Sequence, residues 1–204
     1  MSTLKKVYLD LDRTLFRTDD AGAIWRLLAT HYPSVPDAEE AIARSRDFFV
    51  FTENGDYFYD WVRQVESYGV AAEEARQAIL KSSLADGRFE YPGVAETVRY
   101  VQDNHFELAI LTFGEQFYQQ EIKAALCPSL IGVEIITTMS PKEQFFTDRQ
   151  NPALLLDDKP ISGALPPWVH FVQSVGYNGV EAPSNVEWDT VSSLAEFRDM
   201  LERR

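Results

Sequence analysis

One cysteine, Cys127, stands among 204 residues, and a lone thiol closes no disulfide within the chain. That excludes a small disulfide-stapled scaffold and fits a reducing, cytoplasmic setting. Basic residues are scarce too: 19 Lys and Arg face 32 Asp and Glu, for a net charge of -13. So acidic a surface repels nucleic-acid backbones and anionic membranes, and neither is expected as a partner. Any bound phosphate therefore needs positive charge placed locally. No apolar run approaches the ~20 residues of a membrane span. No secretory pattern is expected at the N-terminus, where Met1 to Lys6 leads straight into a short apolar run and then into acids. Internal repeats and low-complexity tracts are absent.

What is present is a succession of short apolar runs: Val7 to Leu11, Leu108 to Thr112, Val133 to Thr137, Ala153 to Leu156 and Val169 to Val172. Stretches of helical periodicity separate them. Strands apolar on both faces and joined by helices predict an α/β fold, a Rossmann-like parallel sheet sandwiched by helices. In such sheets ligands bind beyond the carboxyl ends of the strands. The connection after the first run is too long for one crossover helix. Helical spacing is read at Ala21 to His31, Asp37 to Val50, Gly55 to Ser67 and Ala72 to Leu84, punctuated by Pro33, Pro36, the Asn54-Gly55 turn and Gly69. This predicts a small all-helical cap domain over residues 19–87 inserted into a core of residues 1–18 and 88–204. A helix from Val94 to Asn104 then feeds the second strand.

Four of the runs end in residues suited to phosphate chemistry. Val7-Tyr8-Leu9-Asp10-Leu11-Asp12-Arg13-Thr14 places two carboxylates at the mouth of a buried strand, where unpaired charge is costly and a cation relieves it. Two neighbouring acids in different surroundings have their pKa values driven apart, so one can act as nucleophile or metal ligand while the other moves protons. The bland alternative is a turn or helix cap. The second run ends in Thr112-Phe113-Gly114 and opens a helix from Glu115 to Leu126, so a hydroxyl lies beside free helical amides; alone, Thr112 reads as an ordinary N-cap. Lys142 follows Ser140-Pro141, which reads as an N-cap with proline in the first turn. A lysine there opposes the helix dipole and implies an anion nearby. Lys123 is its rival, but lies in what reads as an exposed helix face. The fourth run ends in Asp157-Asp158-Lys159-Pro160, repeating the electrostatic problem of the first. Hard carboxylate oxygens without His or Cys suit Mg2+.

In this order, Asp-x-Asp-x-Thr, apolar run plus Thr, Lys, then apolar run plus Asp-Asp, the chain resembles the haloacid dehalogenase superfamily, and especially its phosphatases. The resemblance spans the core and extends to the insert only through its position and helicity. It implies that Asp10 is the nucleophile forming an aspartyl-phosphate. Asp12 would be the general acid that protonates the leaving oxygen and later activates water. Thr112, with the amides of Phe113 and Gly114, would hold the phosphoryl group, and Lys142 would neutralise Asp10 and the phosphate. Asp157 would bind Mg2+ with the Asp10 carboxylate and the Asp12 carbonyl, Asp158 acting on the metal's waters or supporting the residues that hold it. Dehalogenating members commonly lack the second aspartate, so Asp12 weighs against dehalogenation. Arg13 departs from the small or acidic residue frequent at its position.

The expected activity is Mg2+-dependent hydrolysis of a phosphomonoester on a small phosphorylated metabolite, a nucleotide or sugar phosphate. A phosphomutase or phosphotransferase would use the same aspartates, and a silent binding or regulatory module would keep only the fold. The insert's aromatics, Phe48, Phe49, Phe51, Tyr57, Phe58, Tyr59 and Trp61, read chiefly as the core of a small helical domain, with stacking on a base or sugar ring as the sharper alternative. His31, His105 and His170 lie outside the motifs and read as structural or surface residues. Oligomeric state leaves no mark on the sequence.

Overall fold

The computed structural model describes residues 4–203 except 54, 148, 150, 162 and 185. Among these, six strands form one sheet: β1 (Lys6–Leu9), β4 (Glu107–Phe113), β5 (Glu134–Thr138), β6 (Ala153–Asp157), β7 (Val169–Ser174) and β8 (Asp189–Val191). Their order is β5-β4-β1-β6-β7-β8, and every neighbouring pair is parallel. The chain steps from β1 outward through β4 to β5, then returns to the other side of β1 for β6. The strand order therefore reverses at β1, with β4 and β6 as its neighbours. The edge strand β8 had no counterpart among the apolar runs, because only Val191 of its three residues is buried.

Period-two alternation divides the core. Val7, Leu9, Ile110, Leu154, Leu156 and Val172 point to one face and join Val98, Val101, Phe197 and Leu201 from α5 (Val94–Asp103) and α7 (Leu194–Glu202). Tyr8, Ala109, Leu111, Leu155 and Phe171 point to the other, where Phe146 of α6 (Lys142–Phe146) covers them. All of β6 is buried, as expected of a strand covered on both faces.

Between β1 and α5 lies the insert. It contains α1 (Gly22–His31), α2 (Ala38–Arg44), α3 (Trp61–Ser67) and α4 (Ala72–Leu80). Asp37 and Asp60 cap α2 and α3, accepting from the Glu40 and Arg63 amides, each at 2.9 Å. Trp25, Leu28, Trp61, Val65, Ala75 and Ile79 form its interior. The expectation of an all-helical cap is corrected here. β2 (Phe49–Phe51) and β3 (Tyr57–Tyr59) pair antiparallel, where helices had been read over Asp37 to Val50 and Gly55 to Ser67. Phe-Val-Phe and Tyr-Phe-Tyr are aromatic and β-branched triplets, and a short polar turn closes them, a composition that suits a pleated ladder better than a helix. Gly55 has φ 84° in that turn; Asn54 lies outside the described residues.

The two chain crossings between insert and sheet are tied together. Arg17 donates its amide to the Phe89 carbonyl at 2.7 Å and Tyr91 donates to Leu15 at 3.0 Å. The Phe16 and Phe89 rings stack at 5.1 Å, both fully buried.

Candidate active site

The carboxyl ends of β1, β4 and β6 open into a cleft of about 640 Å³ whose other wall is the β2-β3 hairpin. Asp10 follows β1 directly, its amide donating to Leu156 at 2.8 Å, so the backbone is still held in the sheet where the side chain emerges. Asp157 is the last residue of β6, and Asp158 follows it. Carboxylate oxygens of Asp10, Asp157 and Asp158 all lie within 4.8 Å of one another, and all three residues are buried. Lys142, at the start of α6, donates to Asp10 Oδ1 in a short contact and to Asp157 Oδ2 at 2.6 Å. Pro141, rather than Ser140, occupies the N-cap, because Thr138 Oγ1 already takes the Ser140 amide and donates to its carbonyl.

Burial drives the electrostatics. It pushes Asp10 well above the usual carboxylate range; Lys142 draws it back, but Asp157, Asp158 and Asp12 add to the rise. Asp158 is pushed up to about 6, first by burial and then by Asp157. Burial alone would lower Lys142, yet the flanking Asp10 and Asp157 charges overcome it and keep the ammonium firmly protonated. Three buried acids against one lysine leave an excess of negative charge, and a hard oxygen donor set with that excess fits a divalent cation such as Mg2+.

Asp12 stands apart from this cluster. Its carboxylate is held by Lys123 Nζ at 2.7 and 2.8 Å, by Gln119 Nε2 at 3.0 Å and by Thr18 Oγ1 at 2.8 Å. Burial pushes it upward, but the Lys123 charge and these donors prevail and hold it below the ordinary value. Lys123 is thus not on an exposed helix face: it is buried, its Nζ also lying 4.5 Å from the Tyr118 ring centre. The segment expected to form a regular helix from Glu115 to Leu126 is a π-helix over Phe117–Lys123 followed by a 3-10 turn over Ala124–Leu126. The wider π turn changes the phase and carries Gln119 and Lys123 inward. Reading at 3.6 residues per turn cannot reveal this.

Thr112 is fully buried at the end of β4, and its hydroxyl has no hydrogen-bond partner among the described residues. Thr112 and Phe113 line the cleft. Gly114 departs from expectation: its amide donates to the Thr138 carbonyl at 3.1 Å, extending the β4-β5 ladder, and is not free for a phosphoryl oxygen. What Gly114 supplies is space. Its φ is 147°, and a Cβ there would sit 2.5 Å from Gln119 Nε2. Arg13, at φ 57°, pairs with Asp19 at 3.0 Å. His31 and His170 bond Leu27 and Asp189 at the surface.

No protein-family profile matches the sequence, and no curated protein matches it. Solved structures do. A haloacid dehalogenase-like hydrolase from Burkholderia xenovorans superposes with a TM-score of 0.61 at 20% identity, over 97% of this chain and 99% of that one. The chain has the haloacid dehalogenase-like fold. The HAD-hydrolase YfnB from Bacillus subtilis, bound to magnesium, has a TM-score of 0.57 at 16% identity, covering 98% of this chain and 99% of its own. A HAD family hydrolase from Deinococcus radiodurans with bound phosphate and sodium has 0.54 at 16% identity, covering 100% and 97%. None of the described helices is long and apolar enough to cross a membrane.

Proposed function

We propose that the protein is a metal-dependent phosphomonoester hydrolase working through an aspartyl-phosphate on Asp10, with a small phosphorylated metabolite as substrate. The observation that carries this reading is the convergence of Asp10, Lys142, Asp157 and Asp158 at the reversal point of the sheet. The magnesium in the Bacillus subtilis structure and the phosphate in the Deinococcus radiodurans one agree with it. Asp10, Asp157 and Asp158, with the Asp12 carbonyl, would hold Mg2+, which when bound neutralises charge on the phosphoryl oxygens.

An Asp10 carboxylate oxygen attacks phosphorus, and the bond from phosphorus to the leaving oxygen breaks. Lys142 orients Asp10 and balances its charge. The Thr112 hydroxyl, without a hydrogen-bond partner among the described residues, donates to a phosphoryl oxygen, and Phe113 shapes the wall beside it. Asp12 supplies the proton taken by the leaving oxygen, then accepts one from the water that attacks the aspartyl-phosphate and releases inorganic phosphate. The Lys123 ion pair keeps Asp12 in the ionised form that the second use starts from, yet it opposes protonation in both. Asp12 becomes a donor only after its carboxylate has left Lys123 and taken up a proton.

Phosphate release from a panel of phosphorylated metabolites, with and without Mg2+ and beside Asp10→Asn, tests the assignment. Metal-dependent release by the parent and none by the variant is expected. Equal release by both, or none by either, would sink it.

A further inference from the structure

The hairpin wall of the cleft bears on which leaving group enters. Residues two apart share a face of a strand, so Phe49 and Phe51 of β2 lie on one face with Tyr57 and Tyr59 of β3. Phe49, Tyr57 and Tyr59 line the cleft opposite the carboxylate cluster. The Phe49 and Tyr57 rings stack at 4.8 Å with 26° between planes, and Tyr59 meets Tyr118 edge to face at 5.6 Å. Tyr57 is 54% and Phe51 71% exposed, an unusual outlay of aromatic surface on a domain whose Trp25 and Trp61 are buried.

Charge on the same wall is all of one sign. Residues 49–60, Phe-Val-Phe-Thr-Glu-Asn-Gly-Asp-Tyr-Phe-Tyr-Asp, hold three acids and no Lys or Arg. Asp56 lines the cleft and forms no ion pair among the described residues. The cations that line the cleft belong to the core side, and each already acts on an acid there: Lys142 on Asp10 and Asp157, Arg13 on Asp19, and Lys159 on Asp158, whose carboxyl its charge draws downward. A second phosphate or a carboxylate on the leaving group would face Asp56 on the hairpin side, while the lining cations are already set against acids of the core.

We propose that the cleft takes phosphomonoesters whose leaving group presents a flat aromatic face and is neutral or cationic, with no second anionic group. This rests on the phosphatase reading and narrows it. It also separates hydrolysis from mutase chemistry that passes through a bisphosphate, since such a substrate brings a second phosphate to the acidic wall.

Four synthetic esters of matched primary alcohols test it: benzyl, cyclohexylmethyl, 4-carboxybenzyl and 4-(aminomethyl)benzyl phosphate. For the parent protein, kcat/KM for benzyl phosphate should exceed that for cyclohexylmethyl phosphate by about threefold to tenfold, the worth of an aromatic contact beyond area alone. The carboxylate should lose about fivefold against benzyl, and the amine should lose nothing, as expected of one partly exposed charge. Tyr57→Ala should erase the preference for the flat ring, and Asp56→Lys should reverse the order of the two charged esters. Both positions are exposed, so the variants retain the fold, which circular dichroism checks. Release from all four esters at equal kcat/KM, or a carboxylate order unmoved by Asp56→Lys, overturns the substrate class and leaves the phosphatase reading standing. Ethyl phosphate, a phosphomonoester with no ring, tests that reading alone, and a protein that cleaves neither it nor any of the four esters refutes both.

Discussion

At the residue scale, the ion pair between Asp12 and Lys123 governs how the site is set. With Nζ 2.7 and 2.8 Å from the two oxygens, it fixes an otherwise costly partly buried carboxylate. Replacing Lys123 by Met leaves Asp12 with only Gln119 and Thr18, and should lower stability by about 2 kcal/mol, with Lys123→Arg losing less. For a chain of this size that amounts to a fall in Tm of roughly 4–8 °C, readable by thermal denaturation. Asp12 and Asp158 also carry opposite pH signatures. Asp12, depressed in the folded state, contributes stability above its unfolded value of 3.8 that is lost as pH falls through the folded one. Asp158, raised to about 6, contributes most below 3.8 and loses that contribution as pH rises through about 6. In the presence of EDTA, Asp158→Asn should therefore match the parent near pH 4 and exceed its Tm near pH 8. A parent that stays equal to the variant at both values would refute the assignment of that carboxyl.

At the element scale, the π-helix joins two motifs far apart in sequence. Gly114, at φ 147°, ends β4 and lets the Gln119 side chain fold back to bond both Asp12 and the Phe113 carbonyl, at 3.0 and 3.1 Å. Gly114→Ala inserts a Cβ 2.5 Å from Gln119 Nε2 in a backbone conformation that L residues rarely adopt. It should cost about 1–3 kcal/mol and reduce turnover more than a Gln119→Ala change, because strain on β4 also reaches Thr112. Measuring kcat for the two variants side by side decides this. The paired chain crossings invite a second test. Phe16→Ala removes a fully buried ring stacked on Phe89 where both chain crossings meet, and a loss of about 3–5 kcal/mol is expected in chemical denaturation.

At the scale of the whole molecule, an acidic protein concentrates negative charge where it is hardest to sustain. The net charge of -13 is accompanied by a buried trio of Asp10, Asp157 and Asp158, with Lys142 paired to two of them and Lys159 acting on the third. Binding of Mg2+ only to the folded state raises its stability by mass action. Saturating Mg2+ should raise Tm by about 3 °C or more near neutral pH, and by less near pH 4, where protonated carboxyls release the metal. Asp157→Asn should abolish most of that rise. An equal rise in parent and variant would place the ion elsewhere.

Much of this was legible in the sequence, for a physical reason. A buried parallel strand must be apolar and must end at the sheet's edge, so an apolar run closed by acids marks both the strand and the mouth of the cleft. The places of Asp10, Thr112, Asp157 and Asp158 at strand ends were readable that way, together with the α/β class and the long, mainly helical insertion, whereas Lys142 was read from its place in a helix first turn. The hairpin of the insert was not, because three-residue strands carry too few positions to separate a period of two from a period of 3.6. Nor was β8, which shows one buried residue.

The order of the chain by itself determined which chemistry-bearing residues sit at the ends of which strands, since burial and strand length leave them nowhere else to go. Only the tertiary structure decided that Lys123 is the partner of Asp12, 111 residues away, since a π turn sets the phase that carries it inward. Tertiary structure likewise spent the Gly114 amide on the β4-β5 ladder and turned one aromatic, acidic face of the hairpin toward the cleft. Those outcomes depend on pairing and register between distant segments, which no local pattern of residues encodes.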